Sequence, residues 1–186
     1  MKIALFGGSF DPPHMGHDSI VKNALEILDI DRLIVMPTFI SPFKDEFSAP
    51  PQVRFAWVNK IWGKFDRVSI SKFEIEQNRP VPTIQTARHL YDTLDIDKLY
   101  IIIGADHLSS LDKWHEIDAL KKLCTFIIAK RDHIDIPSGF KTMDINEDIS
   151  SSRIRNELIS DRIPNQIKDE VINFYQGEQC KKFQNV

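Results

Sequence analysis

Short apolar runs separated by longer segments of helical period constrain this chain more than any other feature. Residues 2–6, 32–36, 68–73, 99–103 and 125–129 are short and mostly apolar, as buried strands are. Between them, residues 19–28, 52–61, 84–94 and 114–123 carry the period of helices packed on one side. Strand and helix in strict turn imply right-handed crossovers, which leave neighbouring strands parallel. The expected fold is α/β, a doubly wound parallel sheet with helices on both faces, and such a sheet binds ligands beyond the carboxyl ends of its strands. Two more helical stretches, 153–159 and 166–175, follow the serine run Ser150-Ser151-Ser152 and are expected to pack back on the sheet.

A chain of 186 residues suits one domain, here taken as 1–186. With a net charge of -3 and a pI near 6.1 it lacks the basic excess of a general polyanion binder, so no nucleic acid is expected as a partner. Any phosphate site must be local. The apolar run after Met1-Lys2 is too short for a signal peptide and no later run reaches membrane-spanning length, so the expectation is a cytoplasmic protein with no membrane partner. Cys124 and Cys180 form no CxxC pair or framework and are read as reduced thiols. A homo-oligomer is compatible with the sequence, which does not specify one.

Directly after the first strand comes Gly7-Gly8-Ser9-Phe10-Asp11-Pro12-Pro13-His14-Met15-Gly16-His17, the most informative stretch of the chain. Two glycines let the backbone turn and approach a ligand closely. Pro12-Pro13 stiffens the loop, so that His14, Gly16 and His17 reach the next helix already positioned. Helix N-terminal N–H groups and two imidazoles converging on one spot bind anionic oxygens well. Neither the dinucleotide fingerprint G-x-G-x-x-G nor the P-loop G-x-x-x-x-G-K-[ST] is present, which counts against hydride transfer and P-loop kinase chemistry. A bland alternative is a structural Gly-Pro loop with two surface histidines. A metal pair at His14 and His17 is the weaker alternative, because no Cys or carboxylate cluster at ligand spacing joins them.

The H-x-G-H pattern after a G-[ST]-F-D-P loop resembles the nucleotidyltransferase superfamily with a His-x-Gly-His signature, whose fold is Rossmann-like. Ile149-Ser150-Ser151-Ser152-Arg153-Ile154-Arg155 resembles that superfamily's I-S-S-[ST]-x-I-R motif, which grips the ATP phosphates. Read from the residues alone, it is a helix N-cap with arginines nearby. The run from Gly104 through Asp106 to Trp114 resembles the G-x-D-x-L-x-x-L-x-x-W element of bacterial-type nicotinate mononucleotide adenylyltransferases, in which the Trp stacks on the pyridine ring. Alone, an Asp after a strand is a helix cap and a Trp is core. Ser41-Pro42-Phe43-Lys44 stands where that family's P-P-H-K loop ends, with Phe43 in the place of His. Thr83 matches the Thr of the family's S-Y-T element, while Val81-Pro82 departs from it.

The resemblance implies transfer of AMP from ATP to nicotinate mononucleotide, by in-line attack without a covalent intermediate. It implies catalytic roles for His14, His17 and Arg155. ATP would be bound by Gly7, Gly8, Ser9, Phe10, Gly16, Gly104, Asp106, Ser151 and Ser152, and the acceptor by Lys44, Thr83 and Trp114. Magnesium would be held mainly through ATP phosphates, with no metal site built from protein ligands. Arg54 and Arg131 are read as exposed structural arginines, with a phosphate contact as the alternative. Two rival readings stay open: a phosphopantetheine adenylyltransferase, which shares the first loop and the serine motif, and a nucleotide sensor that keeps the pocket without turnover.

Overall fold

The computed structural model of the chain describes residues 1–42, 46–130, 134–145 and 147–184, the last seven of these for the backbone alone. Strand β1 (Lys2–Gly8) leads to helix α1 (Met15–Ile27), β2 (Arg32–Pro37), α2 (Pro51–Trp62) and β3 (Val68–Ile70). A short α3 (Phe73–Glu76) and α4 (Thr83–Thr93) precede β4 (Lys98–Gly104), which runs directly into a 3-10 helix (Ala105–Lys113). The chain continues through α5 (Ile117–Leu123), β5 (Thr125–Lys130), β6 (Lys141–Asp144), α6 (Ser151–Glu157) and α7 (Lys168–Gln184).

The six strands lie in the order β3-β2-β1-β4-β5-β6 and every pairing is parallel. Winding runs outward from β1 in one direction and from β4 in the other, so the carboxyl ends of these two neighbours flank the switch point where an open α/β sheet forms its crevice. Alternate residues of β1 explain its unbroken apolar run. Ala4 and Phe6 face a core with Val21 of α1, Trp57 and Trp62 of α2, Ile154 of α6 and Val171 of α7. Ile3 and Leu5 face the opposite core with Ile84 and Leu90 of α4 and Leu120 of α5. A strand covered on both faces has no polar side to display, and a side chain buried in such a core contributes about 1.5–3 kcal/mol.

The expected doubly wound architecture is the observed one, with local differences that have physical causes. Helix α1 starts four residues before the expected 19–28, because His14 and His17 together cap it. The expected strand 68–73 ends at Ile70, where Lys72 turns into α3. Trp114 does not open a helix. It caps the 3-10 helix, and α5 begins only at Ile117 after Glu116 takes left-handed backbone angles at φ 50. Strand β6 escapes the sequence reading because only Met143 of its four residues is buried. Cys124 is a free thiol whose pKa burial pushes up to about 12, which disfavours the thiolate; the side chain of Cys180 lies outside the described residues.

Candidate active site at the sheet switch point

The loop after β1 crosses the carboxyl end of the sheet, where Gly7 and Gly8 pair in register with Met36 and Pro37 of β2. His14 is 2% exposed and serves as the N-cap of α1. Its backbone N–H donates to Nδ1 of His17 at 3.2 Å, and the two imidazoles stack with centroids 3.7 Å apart. Accepting at Nδ1 leaves the proton of a neutral His17 ring on Nε2, so the ring acts as a donor through its far nitrogen. Gly16 fits tightly: a Cβ there would lie 3.1 Å from the His14 ring, which would have to give by a few tenths of an ångström. Phe10, expected among the ATP-binding residues, has a buried side chain. Its φ is 48° and its ring is 1% exposed, wedged edge-on against Phe6, Trp62 and, at 5.0 Å, His17. The ring braces His17, and any nucleotide contact of Phe10 would run through its main chain.

Helix α6 docks on this same loop. Ser150 caps it by accepting from the Arg153 N–H. Ser151 Oγ donates to the Pro12 carbonyl at 2.9 Å, and Arg155 donates to the Asp11 carbonyl and, at 3.2 Å, to Ser152 Oγ. Arg153 instead faces the surface between Asp148 and Glu157. The serine motif and the histidine loop, well over a hundred residues apart in the chain, thus form one unit beside the N-terminus of α1. That unit combines backbone N–H groups, two imidazoles and a guanidinium, which is the equipment for stabilising phosphate oxygens.

At the end of β4, Gly104 lets the Asp106 carboxylate fold back over the strand: a Cβ on Gly104 would lie 2.3 Å from Asp106 Oδ1. Trp114 is half-buried and meets His107 and Phe126 edge-on. Its Nε1–H is buried and has no acceptor among the described residues. Thr83 is the first residue of α4, preceded by the N-cap Pro82. Lys44, with Phe43, and Arg131 lie outside the described residues. Among the described residues, no group of three or more His, Cys, Asp or Glu side chains could hold a metal ion, and no helix is long and apolar enough to cross a membrane.

The cytidylyltransferase-like family matches residues 5–157, and this span takes in both the histidine loop and the serine motif. A Campylobacter jejuni protein named "Probable nicotinate-nucleotide adenylyltransferase" is 52% identical over 95% of this chain and 97% of its own length. The chain belongs to the cytidylyltransferase-like family, in its nicotinate-nucleotide adenylyltransferase branch. A Campylobacter fetus relative of the same name is 49% identical over 97% of this chain and all of its own. Among solved structures, the Plasmodium falciparum nicotinic acid mononucleotide adenylyltransferase complexed with NaAD superposes with a TM-score of 0.70 at 20% identity, covering 95% of each chain. The same enzyme complexed with APC gives 0.61 at 21% identity over 96% of each. These two likenesses describe the fold.

Beneath these loops lies polar machinery that the sequence alone did not show. Asp11 is 3% exposed, and its carboxylate accepts from the N–H groups of Ser48 and Ala49 and from Tyr175 Oη at 2.5 Å. Burial and this carboxylate push the Tyr175 phenol well above its ordinary pKa. Asp18 accepts from Trp62 Nε1 at 2.9 Å and pairs with Lys22. Arg54, read as an exposed arginine, is 0% exposed, and burial lowers its pKa from the ordinary arginine value. A signal for its burial was present: Arg54 falls on the same face of α2 as Trp57, Val58 and Ile61, all of them buried.

Proposed function

We propose that the chain, acting as one domain over residues 1–186, transfers AMP from ATP to nicotinate mononucleotide, giving nicotinate adenine dinucleotide and pyrophosphate as a cytoplasmic step of NAD biosynthesis. The observation that carries this reading is the stacked His14–His17 pair at the start of α1, with Ser151 and Arg155 of α6 docked on the loop that presents it. The relatives named nicotinate-nucleotide adenylyltransferase support the choice of acceptor.

The acceptor's 5'-phosphate is already an anion and needs no activating triad. One of its oxygens forms a bond to the α-phosphorus of ATP, the bond from that phosphorus to the bridging oxygen breaks, and pyrophosphate leaves with the electron pair. Holding the two reactants in line is worth ~7–11 kcal/mol. His17 donates through Nε2 to the oxygens around the α-phosphorus, with His14 and the N-terminal N–H groups of α1 at its side, and Arg155 balances charge on the departing pyrophosphate. Gly7, Gly8, Ser9 and Gly16 line the ATP path with their backbone, Gly104 and Asp106 take the adenosine end, and Ser151 and Ser152 take the phosphates. Lys44, Thr83 and Trp114 serve the acceptor. If magnesium is bound with ATP, the charge it would neutralise lies on the phosphates, and its ligands would be water and phosphate oxygens, since no group of three or more ligating side chains is found among the described residues.

The test is pyrophosphate release from ATP and magnesium by purified protein with nicotinate mononucleotide, nicotinamide mononucleotide or phosphopantetheine as acceptor. Turnover highest with the first is the expected result. Turnover only with phosphopantetheine overturns the acceptor, and none with any of the three favours a sensor that binds without reacting.

A further inference from the structure

Arg54 has no part in the chemistry just described, yet its placement ties the site together. Its Nε donates to the Ala49 carbonyl at 2.9 Å, Nη1 to that of Ser9 at 2.5 Å and Nη2 to that of Phe39 at 2.6 Å. These carbonyls belong to three segments: the loop after β1, the loop after β2, and the turn that opens α2. Asp11 holds the same turn, so Ala49 is gripped at both of its flanking peptides, by Asp11 at its N–H and by Arg54 at its carbonyl. The ring of Phe47 lies 5.7 Å from the guanidinium. If packing alone were at stake, an apolar side chain would continue the buried face of α2 without the desolvation cost of a cation. A planar fork of five donors can meet carbonyls in three directions at once, which a lysine ammonium on a flexible stem does not reproduce.

We propose that Arg54 is a positioning residue for nucleotidyl transfer: a buried strut that sets the loop after β1, on the ATP side, against the loop after β2, on the acceptor side. The inference rests on the proposed function, in which those two loops carry the two reactants. In-line attack is steeply sensitive to misplacement, and an error of about 1 Å costs about 100-fold in rate. Loosening the strut therefore slows turnover more than it weakens the binding of either reactant alone.

The test is steady-state kinetics of wild type, Arg54→Lys and Arg54→Ala with ATP and nicotinate mononucleotide, each below its own unfolding temperature. For Arg54→Lys the expected result is a kcat lowered at least about 30-fold, with KM for ATP changed less than about threefold. For Arg54→Ala, guanidinium ion at low millimolar concentration is expected to restore kcat at least about fivefold, while urea does not, because only guanidinium supplies the planar donor set. A folded Arg54→Lys with kcat within about threefold of wild type overturns the inference alone, leaving Arg54 a residue of stability. Failure of both variants to fold overturns it in the same way. Absence of turnover by the wild type overturns the proposed function and this inference with it.

Discussion

Glu74 offers a perturbation whose size follows directly from the structure. It lies on α3, is 5% exposed, and its carboxylate accepts a hydrogen bond from Thr86 Oγ1 of α4 at 2.6 Å. Burial raises its pKa from 4.5 to about 7, against the smaller lowering effect of the Thr86 hydroxyl. The folded protein therefore holds this proton more tightly than the unfolded chain. The stabilisation is fully present below the unfolded value of 4.5 and is lost as pH rises toward about 7, and the whole interval is worth about 3 kcal/mol. Glu74→Gln keeps an acceptor for Thr86 and removes the titration. Urea unfolding of both proteins at about pH 5 and about pH 8 should show the wild type losing about 2.5 kcal/mol more than the variant over that interval, since the other titrating groups are common to both. Stability profiles that run parallel would refute the reasoning, and would mean that water reaches the Glu74 carboxylate.

Three further outcomes follow from the geometry. His17→Ala should lower kcat about 100-fold or more, the loss seen when one transition-state donor is removed; near-normal turnover in a folded variant would take that role from His17. Gly104→Ala places a methyl where Asp106 Oδ1 now lies, and because that oxygen ends a rotatable side chain the carboxylate should swing away with little loss of stability. KM for ATP should then rise about tenfold, the size of one charge-assisted hydrogen bond, and an unchanged KM would remove Asp106 from the nucleotide site. Tyr175→Phe should cost about 1.5–3 kcal/mol in chemical denaturation, because it removes the hydroxyl donated to the buried Asp11 carboxylate; a loss under about 0.5 kcal/mol would show that the two backbone N–H groups suffice.

The chain by itself determined the architecture. Strands buried on both faces read as apolar runs, α1, α2 and α4 read as periodic segments, and their alternation admits few topologies, so the parallel sheet and the position of the histidine loop beyond β1 were legible. The pairing of the His14 loop with the Ser151 motif was visible only as two separate motifs. Their contact, Ser151 on Pro12, spans 139 residues and required the folded sheet to bring α6 back to the first loop. Tertiary structure alone decided the fate of polar and bulky groups whose partners are distant. Arg54 turns inward because carbonyls of Ser9 and Phe39 await it, Asp11 is buried because Tyr175 reaches it from 164 residues away, and the Phe10 ring packs into a core containing Trp62. Strand, helix and turn preferences act over a few residues and leave local traces. Whether a charge can be buried depends on donors and acceptors that only the assembled fold supplies.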